Sequence, residues 1–235
     1  MDVRTWSALW RHKVSASADF RYRARLMKPR EFSSPACYLH EFDESHQDPK
    51  GWDEVREWRK RTRETLISGR LALGVKTLQA KGEVAKQKLL AAVELGQYAV
   101  LGIYWSMRGE IDIRDIARRH IEAGGSVALP VVVEKQAPVE FWHWKPGMGM
   151  RRGVWNIPIP VKREVLTPDA CIVPLVGFDG ENYRLGYGGG YYDRTLAAVA
   201  KRPFCVGLGY AEARLASIFP QPHDIPMNLI VTDDA

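Results

Sequence analysis

Cysteine, long hydrophobic runs and blocks of one charge are all scarce in this chain of 235 residues. The three cysteines are Cys37, Cys171 and Cys205, an odd number, and two of them lie in apolar runs. Buried, reduced thiols are therefore expected rather than a disulfide framework. No apolar run is long enough to span a bilayer, and Arg11 and Lys13 interrupt the short apolar start of the chain. These absences predict a cytoplasmic protein without a membrane partner.

The chain also lacks a recognisable nucleic-acid-binding motif. A net charge of +6 and a pI near 9.2 are nevertheless typical of proteins that bind nucleic acid. However, 34 basic residues are interspersed with 28 acidic ones, and no long block of one sign occurs. A basic cleft that binds a small anion would also account for the excess of positive charge. The composition therefore favours a small anion over nucleic acid as the ligand. We expect a small-molecule substrate, no nucleic acid and a monomeric protein.

Several common catalytic signatures are missing as well. No Gly-Lys-Ser/Thr ends a glycine run, so there is no Walker A loop, and no GxGxxG fingerprint is present. The chain shows neither a Ser-His-Asp arrangement nor paired metal-binding histidines. The sequence therefore favours chemistry that relies on positioning and charge neutralisation rather than on a covalent nucleophile.

The most distinctive stretch that is present runs Arg184-Leu185-Gly186-Tyr187-Gly188-Gly189-Gly190-Tyr191-Tyr192-Asp193-Arg194. An apolar run precedes it at 171–176, and a helix-compatible run follows at 195–200. Strand, glycine turn and helix together place free backbone N–H groups and a positive helix end at one point. A tight turn is the plainer interpretation, but it needs only one or two glycines. Three consecutive glycines between two arginines favour a phosphate site.

Charged side chains beside the glycines extend this interpretation. Arg184 and Arg194 flank the run as candidate side-chain donors to a phosphate. Asp193 is a candidate ligand for a divalent cation on the same phosphates.

Hydrophobic spacing predicts a single α/β domain with a mostly parallel sheet flanked by helices. The predicted helices cover 53–73, 76–94 and 113–123, and a further helix begins near Tyr191. The predicted strands cover 98–104, 126–133, 139–144, 171–176, 204–208 and 229–231, with a loop at 146–150. Both the glycine run and the segment from Trp105 to Glu110 follow strands. We therefore expect both at the carboxyl edge of the sheet, where such folds bind ligands.

Residues 1–48 form an N-terminal extension to the α/β domain, which covers 49–235. The extension has a basic character and enough aromatic and aliphatic residues to predict packing on the core. A wrapping extension is the plainer interpretation; a lid or partner-binding arm is the alternative.

Four segments carry a resemblance to a known family: Tyr104–Ile111, Trp155–Pro160, Val173–Asp179 and the glycine run itself. Together they resemble the signature of 5-formyltetrahydrofolate cyclo-ligase, also called 5,10-methenyltetrahydrofolate synthetase. The resemblance extends from about Trp58 to the C-terminus. It implies a Rossmann-like fold of the sugar-phosphate-isomerase or CoA-transferase type.

The resemblance also implies a reaction. ATP with Mg²⁺ would convert 5-formyltetrahydrofolate to 5,10-methenyltetrahydrofolate, releasing ADP and phosphate. A formamide oxygen is a poor leaving group, so its phosphorylation gives an iminium phosphate. N10 of the folate then attacks, and phosphate departs as the ring closes.

The same resemblance assigns roles to residues. ATP contacts are implied for Arg59, Arg63, Arg184, Gly186, Tyr187, Gly188, Gly189, Gly190, Tyr191 and Tyr192. Substrate contacts are implied for Arg63, Trp105, Glu110, Trp155, Tyr187, Gly188, Gly189, Gly190 and Tyr191. Catalytic roles are implied for Arg184 and Tyr191, and magnesium ligation is implied for Asp193 and Asp224.

Each assignment has a plainer alternative. The basic stripe that includes Arg59 and Arg63 is also typical of a solvated helix face, and the family usually has lysine at the first of these positions. Glu110 is equally suited to the start of a helix. Trp105 is suited to the core, and Asp224 to a turn.

Two other functions are compatible with these residues. One is an enzyme of the same fold that acts on another phosphorylated or acyl compound. The other is a folate- or nucleotide-binding paralogue without turnover. Its evidence would be the arginine at position 59 and the strand at 139–141, where many members of the resembled family have a methionine pair.

Overall fold

A computed structural model describes residues 51–234 of the protein. The N-terminal extension predicted over 1–48, and Cys37 within it, lie outside the described residues. The helices are α1 (Trp52–Ala72), α2 (Val75–Ala92), α3 (Arg114–Glu122) and α4 (Tyr191–Ala198). Each predicted helix is present and ends within two residues of its expected limits, and α4 begins at Tyr191 as predicted.

Eleven strands occur among the described residues. They are β1 (Val100–Gly102), β2 (Ser126–Val131), β3 (Glu140–His143), β4 (Met150–Arg152), β5 (Pro158–Pro160), β6 (Val165–Leu166), β7 (Ala170–Pro174), β8 (Gly177–Phe178), β9 (Arg184–Leu185), β10 (Phe204–Leu208) and β11 (Leu229–Val231). Seven of them form one sheet in the order β11-β10-β7-β1-β2-β3-β6.

The sheet is mostly parallel, as the sequence predicts. β11, β10, β7, β1 and β2 pair in parallel, whereas β3 pairs antiparallel with both β2 and β6. From β1 the chain turns to β2 on one side, and from β7 it turns to β10 on the other. The carboxyl ends of β1 and β7 therefore meet at a point where the strand order reverses, which is where open α/β sheets bind ligands.

Alternating side chains of the strands pack on helices on both faces of this sheet. On one face, Leu89 of α2 and Ile116 of α3 join a buried cluster with Leu101, Val127 and other strand residues. On the other face, Leu196 of α4 packs with Cys171, Val173 and Cys205. Burial of these apolar side chains supplies the main driving force for the fold.

Helix α1 meets the loops at the carboxyl edge of the sheet through polar contacts. Its buried residues are Val55, Arg59 and Arg70. The two arginines bind carbonyl oxygens of the loops at 108, 175, 218 and 219. The helix therefore brings guanidinium groups to the edge where the glycine run is expected.

The structure contains five short strands that the pattern of apolar residues did not predict: β4, β5, β6, β8 and β9. β4 and β5 form one two-stranded unit, and β8 and β9 form another. Met150, predicted to lie in a loop, is the first residue of β4, and Arg184 and Leu185 belong to β9 rather than to a turn. None of the helices within residues 51–234 is long and apolar enough to cross a membrane.

Candidate active site

The glycine loop, defined as Gly186–Gly190, connects β9 to α4. Gly188 has φ +90° and Gly190 has φ +62°, a left-handed conformation that side chains adopt at a cost. Gly190 is the residue before the first turn of α4, so the loop ends directly at the positive end of that helix. Glycine at these two positions is thus required by the backbone path.

The backbone N–H groups of this loop are available to a ligand. Within residues 51–234, no protein acceptor is seen for the N–H groups of Gly188, Gly189, Gly190 or Tyr191. Unpaired N–H groups at a helix start attract anions, phosphate in particular. The geometry therefore agrees with the phosphate interpretation of the glycine run.

Arg63 lies against the loop. Its Nε donates to the Gly186 carbonyl at 2.8 Å. A Cβ atom added at Gly188 would lie only 3.2 Å from the Arg63 Cζ. Burial and the nearby Arg59 charge lower the pKa of Arg63. The structure therefore brings one predicted arginine from a distant part of the sequence to the glycine loop.

Aromatic and cationic side chains flank the other side of the loop. Arg194 donates to the Gly189 carbonyl and stacks on the Tyr191 ring, with its Cζ 4.9 Å from the ring centre. The Trp155 ring meets the same tyrosine edge-on, with centres 5.5 Å apart. Trp155 is 61% exposed, so this aromatic surface is open to a ligand beside the loop.

Arg184 and Asp193 are turned away from the open side of the loop and bind each other. Arg184 Nη2 lies 3.1 Å from Asp193 Oδ2, and its Nη1 donates to the Ile225 carbonyl. Asp193 Oδ1 accepts from the Ile225 N–H at 3.1 Å. In this structure the Arg184 guanidinium is therefore occupied by a partly buried carboxylate and a carbonyl, and its role as a side-chain donor on the phosphates stays a prediction.

The hydrogen bonds of Arg59 in this structure go to the segment at 218–224, and its predicted ATP contact stays a prediction. Its guanidinium binds both carboxylate oxygens of Asp224, at 3.3 and 2.6 Å, and the carbonyls of Ile218 and Phe219. Burial raises the pKa of Asp224, but the hydrogen bonds from Arg59 and from the Gln221 N–H outweigh it, and the net shift is downward. Arg59 and Asp224 thus fasten α1 to the segment at 218–224.

Asp193 and Asp224 are the residues that the sequence offers to magnesium. Carboxylate oxygens suit this ion, which takes one or two of them together with phosphate oxygens and water. All four of their oxygens already accept a hydrogen bond or ion pair. Among the described residues no group of three or more His, Cys, Asp or Glu side chains is placed to hold a metal. These carboxylates therefore suit magnesium only if the ion replaces an arginine partner, which is Arg184 for Asp193 and Arg59 for Asp224.

Tyr192 packs into the protein rather than toward the loop. Its ring belongs to the cluster beneath α4, with the Arg184 Cζ 5.6 Å from the ring centre. Its hydroxyl is buried without a hydrogen-bond partner among the described residues. Only the backbone of Tyr192 is therefore suited to the predicted ATP contact.

A cavity of about 1010 Å³ opens beside the loop that follows β1. Trp105 and Trp144 meet edge-to-face there, with ring centres 6.2 Å apart, and Met148 and Met150 line the wall near them. Glu110 also lines this cavity. Other charged side chains, among them Asp115 and Lys86, line it as well. Aromatic and thioether walls with several polar groups are typical of a site for a flat, partly polar ligand.

Tyr187 joins the cavity to the glycine loop. Its hydroxyl donates to Glu110 Oε1 at 2.8 Å, and the Met107 N–H donates to Glu110 Oε2 at 2.9 Å. Burial raises the pKa of Glu110 to about 7, although both of these hydrogen bonds favour the charged form. The two predicted sites are therefore neighbours, and a carboxylate that titrates near neutrality stands between them.

Arg70 is a site residue that sequence reasoning missed. It donates to the Tyr187 hydroxyl at 3.0 Å and to the carbonyls of Arg108 and Leu175. The sequence places it in the basic stripe of α1, where nothing distinguishes it from the solvated arginines of the same helix. Only the three-dimensional contacts identify it.

Comparison with known proteins agrees with this geometry. The model of the 5-formyltetrahydrofolate cyclo-ligase family matches residues 55–233. The chain is 31% identical over 174 residues to a 5-formyltetrahydrofolate cyclo-ligase of Escherichia coli K12, covering 69% of this chain and 93% of that protein. It is 38% identical over 66 residues to one of Mycoplasma pneumoniae, covering 28% of this chain and 40% of that protein.

The fold is also similar to a solved structure of a protein with this activity in its name. The NMR structure of Aquifex aeolicus 5,10-methenyltetrahydrofolate synthetase superposes with a TM-score of 0.65 at 25% identity, covering 75% of this chain and 90% of that one. The family model spans most of the chain, including the glycine loop, Glu110 and both tryptophan-containing segments. The chain therefore belongs to the 5-formyltetrahydrofolate cyclo-ligase family of enzymes.

Proposed function

We propose that this protein is an ATP-dependent enzyme that cyclises 5-formyltetrahydrofolate to 5,10-methenyltetrahydrofolate and releases ADP and phosphate. The observation that carries the proposal is the hydrogen bond from Tyr187 to Glu110, which joins an anion-binding glycine loop to an aromatic cavity. Transfer of a phosphoryl group to a bound folate requires that these two ligands meet.

The glycine loop is suited to the nucleotide. Its free N–H groups and the start of α4 would hold the phosphates, and Arg63 would add a side-chain cation. Phosphoryl transfer depends on positioning and charge neutralisation, which backbone donors fixed by Gly188 and Gly190 supply without reorganisation.

The cavity is suited to the folate. The amino and ring N–H groups of a pterin match the carboxylate of Glu110, and its flat ring matches the wall formed by Trp105 and Trp144. With the pterin bound there, the N5 formyl oxygen would face the glycine loop and receive the phosphoryl group. N10 would then attack the activated formyl carbon, and phosphate would leave.

Magnesium is part of the proposal as an ion that arrives on the nucleotide. It would neutralise charge on the phosphates, and Asp193 and Asp224 would hold it. The monomeric state and the cytoplasmic location expected from the sequence remain predictions.

A direct assay tests the reaction. Purified protein mixed with 5-formyltetrahydrofolate, ATP and Mg²⁺ should produce the absorbance of 5,10-methenyltetrahydrofolate, with one ADP formed per folate cyclised. Omission of ATP should abolish the signal. Absence of product with all three present would reject the proposed reaction in favour of a paralogue without turnover.

A substitution in the loop tests the nucleotide site. Gly188→Ala places a Cβ on a left-handed backbone and against Arg63. We expect a rise of about tenfold or more in the KM for ATP, since strain of roughly 1–2 kcal/mol displaces the donors.

Gly180→Ala is the matched control, because a Cβ there meets open space without a positive φ. It should leave the KM for ATP unchanged. An equal response to both substitutions would assign the glycine loop to folding rather than to ATP.

A further inference from the structure

Arg70 contacts three segments of the site but has no role in the reaction as proposed above. It lies in the last turn of α1 and is 8% exposed. Its three donor nitrogens point to three different segments: Nε to the Arg108 carbonyl, Nη1 to the Leu175 carbonyl and Nη2 to the Tyr187 hydroxyl. One guanidinium thus ties together the loops after β1 and β7 and the glycine loop.

The contact with Tyr187 fixes the direction of a hydrogen bond. A guanidinium only donates, so the Tyr187 oxygen accepts from Arg70. The hydroxyl hydrogen is then directed to Glu110 Oε1 at 2.8 Å. Arg108 stacks on the ring of the same tyrosine, with its Cζ 5.7 Å from the ring centre, which restricts the rotation of the ring. Arg70 therefore sets both the position and the donor role of this hydroxyl.

The contact with the Arg108 carbonyl fixes the turn that carries Glu110. Arg108 and Gly109 both have positive φ, at 48° and 75°. Glycine adopts this conformation freely, whereas Arg108 adopts it at a cost that its surroundings must offset. The Glu110 N–H donates to the Met107 carbonyl, and the Tyr210 hydroxyl donates to the Gly109 carbonyl. With Arg70 on the Arg108 carbonyl between them, all three carbonyls of the turn that leads into Glu110 accept a hydrogen bond.

Each carboxylate oxygen of Glu110 therefore accepts one hydrogen bond from the protein and has a lone pair available for a ligand. Tyr187 occupies one position on Oε1, and the Met107 N–H occupies one on Oε2. Because each carboxylate oxygen accepts about two hydrogen bonds, both oxygens can still bind the paired N–H groups of a pterin edge.

We propose that Arg70 is a positioning residue that acts through Tyr187 to orient Glu110 for binding the pterin of the folate substrate. This inference rests on the proposed function, since it concerns how the same site recognises its folate. It also explains how the glycine loop and the folate cavity are coupled, because Tyr187 belongs to the first and contacts the carboxylate of the second.

The electrostatic surroundings of Glu110 support a pH readout. The charged and titratable groups that act on it are Arg70 of α1, Arg108 of its own turn, Tyr104 after β1, Tyr187 of the glycine loop, Tyr192 of α4 and Tyr210 after β10. Both arginines favour the ionised carboxylate, and burial opposes it. Loss of the Tyr187 hydrogen bond should therefore raise the pKa of Glu110 further.

Four variants test the proposal: Tyr187→Phe, Arg70→Lys, the double variant and the control Arg56→Lys. Tyr187→Phe removes only the hydroxyl and keeps the ring. Arg70→Lys keeps the charge but not the three-way geometry. Arg56 is an exposed arginine of the same helix, paired with Asp53, so its replacement should change nothing.

The measurements are the KM values for both substrates and the dissociation constant of 5-formyltetrahydrofolate, obtained from tryptophan fluorescence on both sides of pH 7. We expect each single variant to weaken folate binding about ten- to hundredfold, with a smaller effect on the KM for ATP. The pH midpoint for folate binding should move upward in Tyr187→Phe. The double variant should lose no more than the worse single variant, because the two residues act in series.

Other outcomes overturn the inference. An unshifted midpoint in Tyr187→Phe, additive losses in the double variant, or equal losses for ATP and folate would make Arg70 a structural brace only. Folate binding without turnover in the wild-type protein would reject the proposed reaction and leave this test intact. Absence of folate binding in the wild-type protein would overturn both.

Discussion

The Asp193 carboxylate joins two segments whichever ligand binds nearby. It pairs with Arg184 through Oδ2 and accepts the Ile225 N–H through Oδ1. Removing one partner of a largely buried ion pair leaves an uncompensated charge, which costs about 3–5 kcal/mol. A residue that only caps the start of a helix contributes about 1 kcal/mol. The observed contacts make Asp193 more important for stability than that.

Two substitutions at Asp193 separate this stabilising role from a metal role. Asp193→Ala should lower the free energy of unfolding by about 3 kcal/mol. Asp193→Asn should lower it less, because the amide oxygen can still accept from Ile225. If Asp193 also holds magnesium, Asp193→Asn should cut turnover by about a hundredfold and raise the magnesium concentration that is needed.

Melting temperature and turnover across a magnesium titration, measured on the same samples, provide the check. Asp53→Asn is the control, because Asp53 is 87% exposed at the start of α1. A destabilised Asp193→Asn variant with an unchanged magnesium requirement would move the metal site away from Asp193.

At the scale of elements, α1 shows why periodicity identified the helix but not its function. The apolar positions in this stretch predict a helix, and the helix is present at Trp52–Ala72. Two of its three buried residues, Arg59 and Arg70, are arginines. A pattern that counts apolar residues places such side chains on the solvated face. Their burial depends on carbonyl and carboxylate partners more than 30 positions away in the chain.

The short strands escaped prediction for a related reason. β8 and β9 contain two residues each, too few to show alternation. Their pairing nevertheless fixes the backbone of Arg184, whose side chain pairs with Asp193 in this structure. Longer apolar strands such as β10 were predicted with their observed limits.

The contact between α1 and the segment at 218–224 is tested by Arg59→Lys. Lysine can keep the charge pair with Asp224 but cannot also reach the carbonyls of Ile218 and Phe219. We expect a loss of about 1–3 kcal/mol in unfolding free energy and an unchanged KM for ATP.

Thermal unfolding and ATP kinetics check this variant against Arg56→Lys, which alters an exposed arginine of the same helix. The resembled family usually has lysine at this position. A lower KM for ATP in Arg59→Lys than in the wild-type protein would therefore support the nucleotide contact that the resemblance implies for residue 59.

At the scale of the whole molecule, the sequence anticipated the layout better than the contacts. The parallel order of the sheet brings the ends of β1 and β7 together, so Glu110 and the glycine loop meet as expected from strands that precede them. Which arginine serves which loop was not predictable. Arg59, Arg63 and Arg70 lie on one helix, and only the fold assigns them to Asp224, Gly186 and Tyr187 respectively.

Glu110 links the site to the stability of the whole protein. Its pKa is about 7 in the folded state, against an ordinary value of 4.5, so the folded protein binds its proton more tightly than the unfolded chain. Between these two values the folded state carries more protons, and the free energy of unfolding falls as pH rises. The protonated carboxyl is accommodated at low pH, whereas at pH values above 7 the protein bears the full cost of a partly buried charge, at most about 3 kcal/mol.

Glu110→Gln should therefore stabilise the protein in alkaline conditions while weakening folate binding. The difference in unfolding free energy between variant and wild type should be near zero at low pH, grow between about pH 4.5 and 7 and level off above that, which denaturant unfolding at a series of pH values can measure. Asp53→Asn, which changes an exposed acid, should give a difference that is flat over the same range. A difference for Glu110→Gln that stayed flat or fell with rising pH would mean that the fold stabilises the ionised carboxylate. Recognition of the pterin by Glu110 would then not lower the stability of the protein.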